Sequence, residues 1–367
     1  MKVSFQVLLL LSWAHWSMGA FVPQEFHAFS SRLSSRHMVS SSSPTKIPET
    51  FPLARNTFSG LIEAALAEHF GSSASRVIQS LRFLEIGYEH VEFVGNQQTP
   101  PITNEDTSEC YQKAHSFIPG LQAKQFWDTG NIDWAQKLKK SYKEIKREFT
   151  RVTCDTEELS KQGNNIWAGA LTQDASSYGE GWRTLVLMDR GIWDPVNVNC
   201  FPVTAKAIKD SGAPVVEAFF ASMSPKTDIK LHTDNTNFVV TSHLALDIPD
   251  NGENKCRLTI GDETRQWING EILMFDTSIM HAAINESDKT RYILMLRLWH
   301  PDLTDVERQA IQFTWDCLQI PELVSIHPEE RAKAERFVED IRAFPEIKRS
   351  ASGFGVNQYE KKKKKRK

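Results

Sequence analysis

The sequence is poor in cysteine and has no two cysteines close together. Cys110, Cys154, Cys200, Cys256 and Cys317 are odd in number and widely spaced. With no CxxC pair, a zinc ribbon and a thioredoxin-type centre are excluded, and no disulfide framework is expected. Buried free thiols are the ordinary outcome for such residues. Long hydrophobic runs are also missing. The apolar stretch from Val3 to Ala14 is too short to span a bilayer. Internal repeats are absent. Positive charge is concentrated in one place: the formal net charge is −3, yet Lys361 to Lys367 are all basic, so the rest of the chain carries −10. A body that acidic offers no nucleic-acid groove. The basic tail reads as a solvated run, with weak attraction to anionic membrane surfaces as the alternative.

What is present suits a sizeable core. The 367 residues are 40% hydrophobic and 24% charged, which allows two domains or one large domain with appendages. Met1-Lys2, the apolar Val3 to Ala14 and the small residues Ser17 to Ala20 form a signal-peptide pattern. Between His27 and Lys46 come eight serines, two arginines and no acid, the composition of a transit peptide. The order, with Gly19-Ala20-Phe21-Val22-Pro23 between the halves, resembles the two-part presequence of plastid proteins in algae with secondary plastids. That resemblance implies entry to the secretory pathway and delivery to the plastid; the alternative is the ER lumen or secretion.

Phe58 to Phe70 and Arg76 to Leu84 are predicted helices, and residues 95–108, with Pro100-Pro101, a loop. Trp134, Leu138, Tyr142, Ile145 and Phe149 recur at helical spacing and predict one amphipathic helix. From Trp182 the texture becomes that of strands: 182–188, 215–223, 238–248, 256–267, 271–275 and 291–299. Turn residues such as Asp250-Asn251-Gly252 and Asn269-Gly270 separate them. Six such strands suggest a sandwich or barrel, and a jelly roll fits. Thr304 to Glu307 is a capping box opening a helix to about Leu318, and a second helix starts at Pro328. Both should pack on the sheet.

Chemistry concentrates between 215 and 300. His232 and Asp234 are two apart, so in extended chain they share a face. His281 follows 49 residues later. Two histidines and a carboxylate occupy one face of an iron(II) ion and leave the other open. Arg291, ten residues on, begins an apolar strand. A guanidinium buried there is costly unless it meets an anion. Each residue alone has a plainer reading: an incidental HxD, a hydrogen-bonded structural histidine, a salt-bridged arginine. A zinc hydrolase using the same three residues would leave Arg291 unexplained. Trp267 and Trp299 read as core packing rather than as a shield for the site. Asn285-Glu286-Ser287 is a glycosylation sequon by pattern, yet its place after His281 favours a structural role.

Taken as a set, these motifs resemble the aspartyl/asparaginyl β-hydroxylase family. They are Ser224-Pro225-x-Thr227, His232-Thr233, Thr236-Asn237, His243-Leu244-x-Leu246, Ile248-Pro249, Trp267-x-x-Gly270-Glu271, Phe275-Asp276-x-Ser278, His281, Arg291 and Trp299-His300-Pro301-x-Leu303-Thr304, preceded by Ile118-Pro119-Gly120-Leu121 and Phe126-Trp127-Asp128. The likeness spans about residues 115–305. It implies a mainly β fold, a double-stranded β-helix (jelly-roll, cupin-like) core with flanking α-helices, and a hydroxylase using Fe(II), 2-oxoglutarate and O2. His232 and His281 match the family's iron ligands, Arg291 its 2-oxoglutarate anchor, and His243 a second residue on that co-substrate. Ser222 stands near the place of a serine that assists there. Animal protein-modifying members have Gly where this chain has Asp234, so Asp234 restores a third iron ligand. They also have an arginine near the substrate where this chain has Thr241. The implied division is a targeting presequence over 1–45, an N-terminal region of undefined structure over 46–110, the dioxygenase domain over 111–320 and a helix with basic tail over 321–367. The implied substrate is an amino-acid side chain of a protein or peptide. A lipid or small molecule, and a catalytically silent jelly-roll binding module, stay open.

Overall fold

The computed structural model describes residues 47–95, 110–154, 177–179, 181–249 and 252–347. The presequence and basic tail, and nearly all of the loop expected over 95–108, lie outside them.

Helices α1 (Phe58–Phe70) and α2 (Ser75–Ile86) come first, followed by strands β1 (His90–Phe93), β2 (Tyr111–Ala114) and β3 (Phe126–Trp127). Next are α3 (Asp133–Lys140), α4 (Tyr142–Thr153), β4 (Trp182–Asp189), β5 (Ile192–Trp193), α5 (Pro195–Cys200) and α6 (Pro202–Ser211). Eight strands then run in succession: β6 (Val215–Met223), β7 (Thr227–His232), β8 (Val239–Asp247), β9 (Cys256–Ile260), β10 (Glu263–Gln266), β11 (Ile272–Phe275), β12 (His281–Asn285) and β13 (Arg291–Trp299). Helices α7 (Asp305–Gln319) and α8 (Pro328–Arg342) close the order. No helix among the described residues is long and apolar enough to cross a membrane.

Strands β3-β11-β8-β13-β6-β4-β5 form one sheet and β10-β9-β12-β7 another, with every pairing antiparallel. From β6 onward the chain alternates between the two sheets, apart from the β9–β10 hairpin. That winding is a double-stranded β-helix. The expected fold class is the observed one. The alternation of side chains along β13 shows why. Ile293 and Met295 point into the space between the sheets with Phe219, Ile229, Leu258 and Ile260. Leu294, Leu296 and Leu298 point the other way, onto Leu138, Ile145, Phe149, Ala205 and Ile208 of the helices. The larger sheet is therefore buried on both faces, which favours runs of apolar residues without polar alternation.

The segment predicted as one strand over 256–267 folds back on itself. Ile260 pairs with Glu263, so Gly261-Asp262 is a two-residue hairpin turn, and Gly261 takes the left-handed φ of 55° that such turns require. The single amphipathic helix expected around 134–149 is broken at Ser141, whose amide bonds to Leu138 O at 3.0 Å in a tightened turn. The buried face of Leu138, Ile145 and Phe149 survives the break. All five cysteines are free thiols, and three of them are buried.

A third core joins α1 and α2 to α7 through Ile62, Leu66, Val77, Leu81, Ile311 and Cys317. Trp299 stacks on Trp315 there, with ring centroids 5.2 Å apart, as core packing should. Arg76 clamps this layer. It donates from Nε and Nη2 to the two oxygens of Glu307 at 2.6 and 2.8 Å, and from Nη1 to Pro119 O at 2.9 Å. Glu307 is also the capping-box residue of α7. Arg76→Ala is expected to cost about 1–2 kcal/mol, because the fork is bidentate and its acceptor buried. Chemical denaturation would show it, and Arg76→Lys should recover only part.

Candidate active site

The two histidines separated by 49 residues become direct neighbours, because β12 pairs with β7 so that His281 lies opposite His232. Their rings are 4.2 Å apart at the centroids. Each is held the same way. His232 Nδ1 lies 2.7 Å from Lys230 O, and His281 Nδ1 lies 2.9 Å from Ile279 O. A carbonyl only accepts, so the proton sits on Nδ1 and both Nε2 lone pairs are free. That is the usual dress of a metal-binding imidazole. Burial, and then the neighbouring His232, push His281 down to about 3, so its ring is neutral at any physiological pH.

Asp234 completes the cluster. One donor atom from each of His232, Asp234 and His281 lies within 4.8 Å of the others. His232 Nε2 is 3.9 Å from Asp234 Oδ1. Burial alone would raise this carboxyl. The guanidinium of Arg297 outweighs that and holds it well below the usual carboxylate range. Two imidazoles and one carboxylate, with no thiolate, suit iron(II).

Thr233 fixes the turn between His232 and Asp234. Its hydroxyl lies 3.0 Å from Lys113 O on β2, 3.1 Å from Ser278 O and 3.3 Å from Thr277 O, and accepts from Asn235 N at 3.1 Å. The loop before His281 is thus tied to the turn after His232, and the β1–β2 hairpin braces both. Lys113 N also donates to Ser278 O at 2.8 Å. Thr233→Val is expected to weaken divalent-metal binding about tenfold, the low end for a residue supporting ligands. Thr233→Ser should restore it. Cobalt(II) titration measures both, and an unchanged affinity would make the hydroxyl mere scaffolding.

The other end of the barrel holds Arg291, which is fully buried. Its Nη2 meets Met223 Sδ at 3.2 Å, and the guanidinium lies 4.3 Å from the Trp267 ring and 5.5 Å from the Trp182 ring. Burial lowers Arg291 to about 10, so it stays cationic at neutral pH. Its Nε and Nη1 have no acceptor. His243 on β8 pairs across the sheet with Met295, which lies between Arg291 and Arg297 on β13. Burial, then Arg291, then His281 hold His243 neutral. Its Nδ1 accepts from Trp267 Nε1 at 3.2 Å, which places the proton on Nε2, also without an acceptor. Three buried donors, on two residues that both contact Trp267, therefore have nothing to donate to. A native interior leaves such groups orphaned only where a ligand or water satisfies them. An anion with two carboxylate oxygens fits this set. Trp267, read from the sequence as core, is core, and it also lies against both Arg291 and His243.

Ser222 is not brought to the site. It pairs with Tyr292, while Arg291 pairs with Met223. Cross-strand partners share a face, so Ser222 points away from Arg291. Its hydroxyl lies 3.4 Å from Arg183 O. Met223 occupies the pocket-facing position instead. Asn285 is fully buried and donates to Met223 O, Ser224 O and Lys289 O at 2.9–3.0 Å, a structural role that leaves no room for a glycan. Tyr178 and Arg297 reach Asp234 and were not read from the sequence. Arg297 had a signal: it lies six residues after Arg291 in one strand, hence on the same face.

Residues 139–301 match the family described as aspartyl/asparaginyl beta-hydroxylase. Human "Aspartate beta-hydroxylase domain-containing protein 2" is 31% identical over 177 residues, 46% of this chain and 47% of that protein. Mouse "Aspartyl/asparaginyl beta-hydroxylase" is 24% identical over 280 residues, 72% of this chain and 34% of that protein. "Ornithine lipid ester-linked acyl 2-hydroxylase" of Rhizobium tropici is 26% identical over 176 residues, 48% of this chain and 60% of that protein. A solved 2OG-Fe(II) oxygenase-family protein from Burkholderia pseudomallei has a TM-score of 0.24 at 12% identity, over 32% of this chain and 66% of that one, too slight to add to the strand order. The chain spans about half the length of the first of these relatives and a third of the second. Residues 139–301 thus match the aspartyl/asparaginyl β-hydroxylase family, and the motif histidines and arginine that carry the likeness are gathered in one barrel.

Proposed function

We propose that this chain is an iron(II)- and 2-oxoglutarate-dependent hydroxylase acting on an amino-acid side chain of a protein or peptide. The observation that carries the reading is the set of orphaned donors on Arg291 and His243, lying in the same barrel as three groups suited to iron. His232, Asp234 and His281 would hold the metal. Arg291 would take the far carboxylate of 2-oxoglutarate through its free Nε and Nη1, and His243 Nε2 would donate to the same molecule. Bound iron would activate O2: the co-substrate is oxidised to succinate and CO2, one oxygen atom entering succinate and the other a substrate C–H bond, which becomes C–OH. The protein's part is orientation and exclusion of water. Trp182 and Trp267 wall the guanidinium off, which strengthens its pairing with an anion. No proton has to be moved by a side chain, so no acid or base is assigned.

A second reading keeps the chemistry and changes the substrate to a lipid or small molecule. The Rhizobium tropici relative, by its name an acyl hydroxylase, and the uncharged, buried Thr241 beside the site favour it. Succinate release tests the shared chemistry. The full chain with Fe(II), 2-oxoglutarate and O2 should form succinate slowly without a substrate and faster with the right one, peptide or lipid. Iron-loaded, folded protein that forms none under either condition would leave the silent binding module as the reading.

A further inference from the structure

Strand β13 sends two guanidiniums into the barrel, Arg291 and Arg297, and their surroundings are opposite. Arg291 has no acid. Arg297, also buried, has two: Nη1 donates to Asp234 Oδ2, and Nε lies 3.3 Å from Glu217 Oε2. Glu217 is the direct cross-strand neighbour of Arg297 on β6, so the sheet itself sets the spacing. Asp234 is constrained from every side. Tyr178 OH donates to its Oδ1 at 3.2 Å, and its backbone amide donates to Thr277 O at 2.8 Å. The next residue, Asn235, is in the left-handed region at φ 58°, which turns the chain sharply away. The consequence is an asymmetric carboxylate. Oδ2 is engaged by Arg297. Oδ1 faces His232 Nε2 at 3.9 Å.

Without Arg297, Asp234 would be an uncompensated charge in a dry interior whenever no metal was bound. Such a charge costs several kcal/mol, and the chain would relieve it by swinging the carboxylate out or protonating it. The metal site would then have to be rebuilt on each loading. With Arg297 in place the ligand geometry exists beforehand, as a supported metal site requires. Glu217 in turn keeps Arg297 from following Asp234 toward the metal.

We infer that Arg297, backed by Glu217, is the positioning residue of the metal centre: it holds Asp234 by Oδ2 so that Oδ1 is presented beside His232 and His281 as a monodentate ligand. This rests on the reading that those three residues hold a metal ion. It assigns Arg297 a task different from that of Arg291, though both are buried arginines of one strand.

The test is cobalt(II) titration of the full chain under anaerobic conditions, read both as affinity and as the visible d–d absorption, which reports ligand number and geometry. The variants are Arg297→Lys, which keeps the charge and loses the fork; Asp234→Ala; the double variant; and His281→Ala. Arg297→Lys is expected to weaken cobalt(II) binding about 10- to 100-fold and to shift the absorption to the form that Asp234→Ala shows. Adding Arg297→Lys to Asp234→Ala should cost nothing more, because Arg297 acts through that carboxylate. A merely destabilising substitution would lower the thermal midpoint without moving the absorption. If Arg297→Lys fails to fold, the double variant, which removes the carboxylate it would leave strained, still reports whether the two costs coincide or add. Wild-type absorption that Arg297→Lys leaves unchanged, or additive costs in the double variant, would overturn the inference and spare the metal site. No saturable absorption in the wild type, or one that persists in His281→Ala, would overturn the metal site itself.

Discussion

Arg291→Met is expected to do two opposite things: to raise the thermal midpoint of the ligand-free protein and to weaken 2-oxoglutarate binding about 100- to 10,000-fold. The first follows from Arg291 being a buried cation without an acid partner. Its contact with the Trp267 ring returns part of the desolvation cost, about 2 kcal/mol or somewhat more for a buried cation–π pair, but an uncompensated buried charge costs several. Methionine has a similar reach and no charge, so a net gain of about 1–3 kcal/mol is expected, a rise of several degrees. The second follows from losing two charge-assisted hydrogen bonds to the ligand's far carboxylate, each worth about 1.5–3 kcal/mol, at about 1.4 kcal/mol per tenfold. Calorimetric melting and 2-oxoglutarate titration of the same two samples decide it. A stable variant that binds as well as wild type would mean that the anion goes elsewhere. A destabilised one would make Arg291 part of the packing. The expected pattern, stability gained and binding lost, is the signature of a binding group held at a cost.

His281→Ala carries the second large effect. On the proposed reading it removes one of three ligands and leaves His232 and Asp234 facing an open corner. Since loss of a supporting residue alone costs about 10- to 100-fold in metal affinity, loss of a ligand should exceed 100-fold. His281 is neutral at working pH and its Nδ1 is committed to Ile279 O, so no other atom of the ring can substitute for Nε2. The fold should survive, because the β7–β12 pairing is made by backbone groups. Metal content after dialysis against Fe(II) or Zn(II), beside far-ultraviolet circular dichroism, would show a folded protein without metal. Undiminished content would place the ion somewhere other than this cluster.

Much of this architecture was legible in the sequence where one physical signal dominates. β6 and β13 were read with their observed limits because both faces are buried, and their runs of Val, Phe, Ile and Leu admit little else. The capping box at Thr304 fixed the start of α7 for a local reason. The two strands that carry the histidines were not read. β7 is Thr-Asp-Ile-Lys-Leu-His with only Ile229 buried, and β12 is His-Ala-Ala-Ile-Asn, short and alanine-rich. Neither shows the β-branched density that marks a strand, and pairing to neighbours holds them instead. The same double burial that made β6 easy to find hid its facing. With no polar alternation, nothing local tells Ser222 from Met223, and only the register with Arg291 does. Histidines, aspartate and Arg291 were recognisable as a motif. Their supports were not: Tyr178, Arg297 and the Thr233 hydroxyl act through contacts 44 to 120 residues away in sequence, which no local pattern encodes.

On the proposed function, one barrel holds both an iron site and an anion anchor that meet on a single co-substrate. The most direct measurement is anaerobic titration of Fe(II) and 2-oxoglutarate into the full chain, followed through the weak visible charge-transfer band that iron(II) shows when 2-oxoglutarate chelates it. A saturable band in the wild type, absent in His281→Ala and reached in Arg291→Met only at far higher 2-oxoglutarate, is the predicted result. A folded wild-type protein that binds iron and shows no band at any 2-oxoglutarate concentration would contradict it.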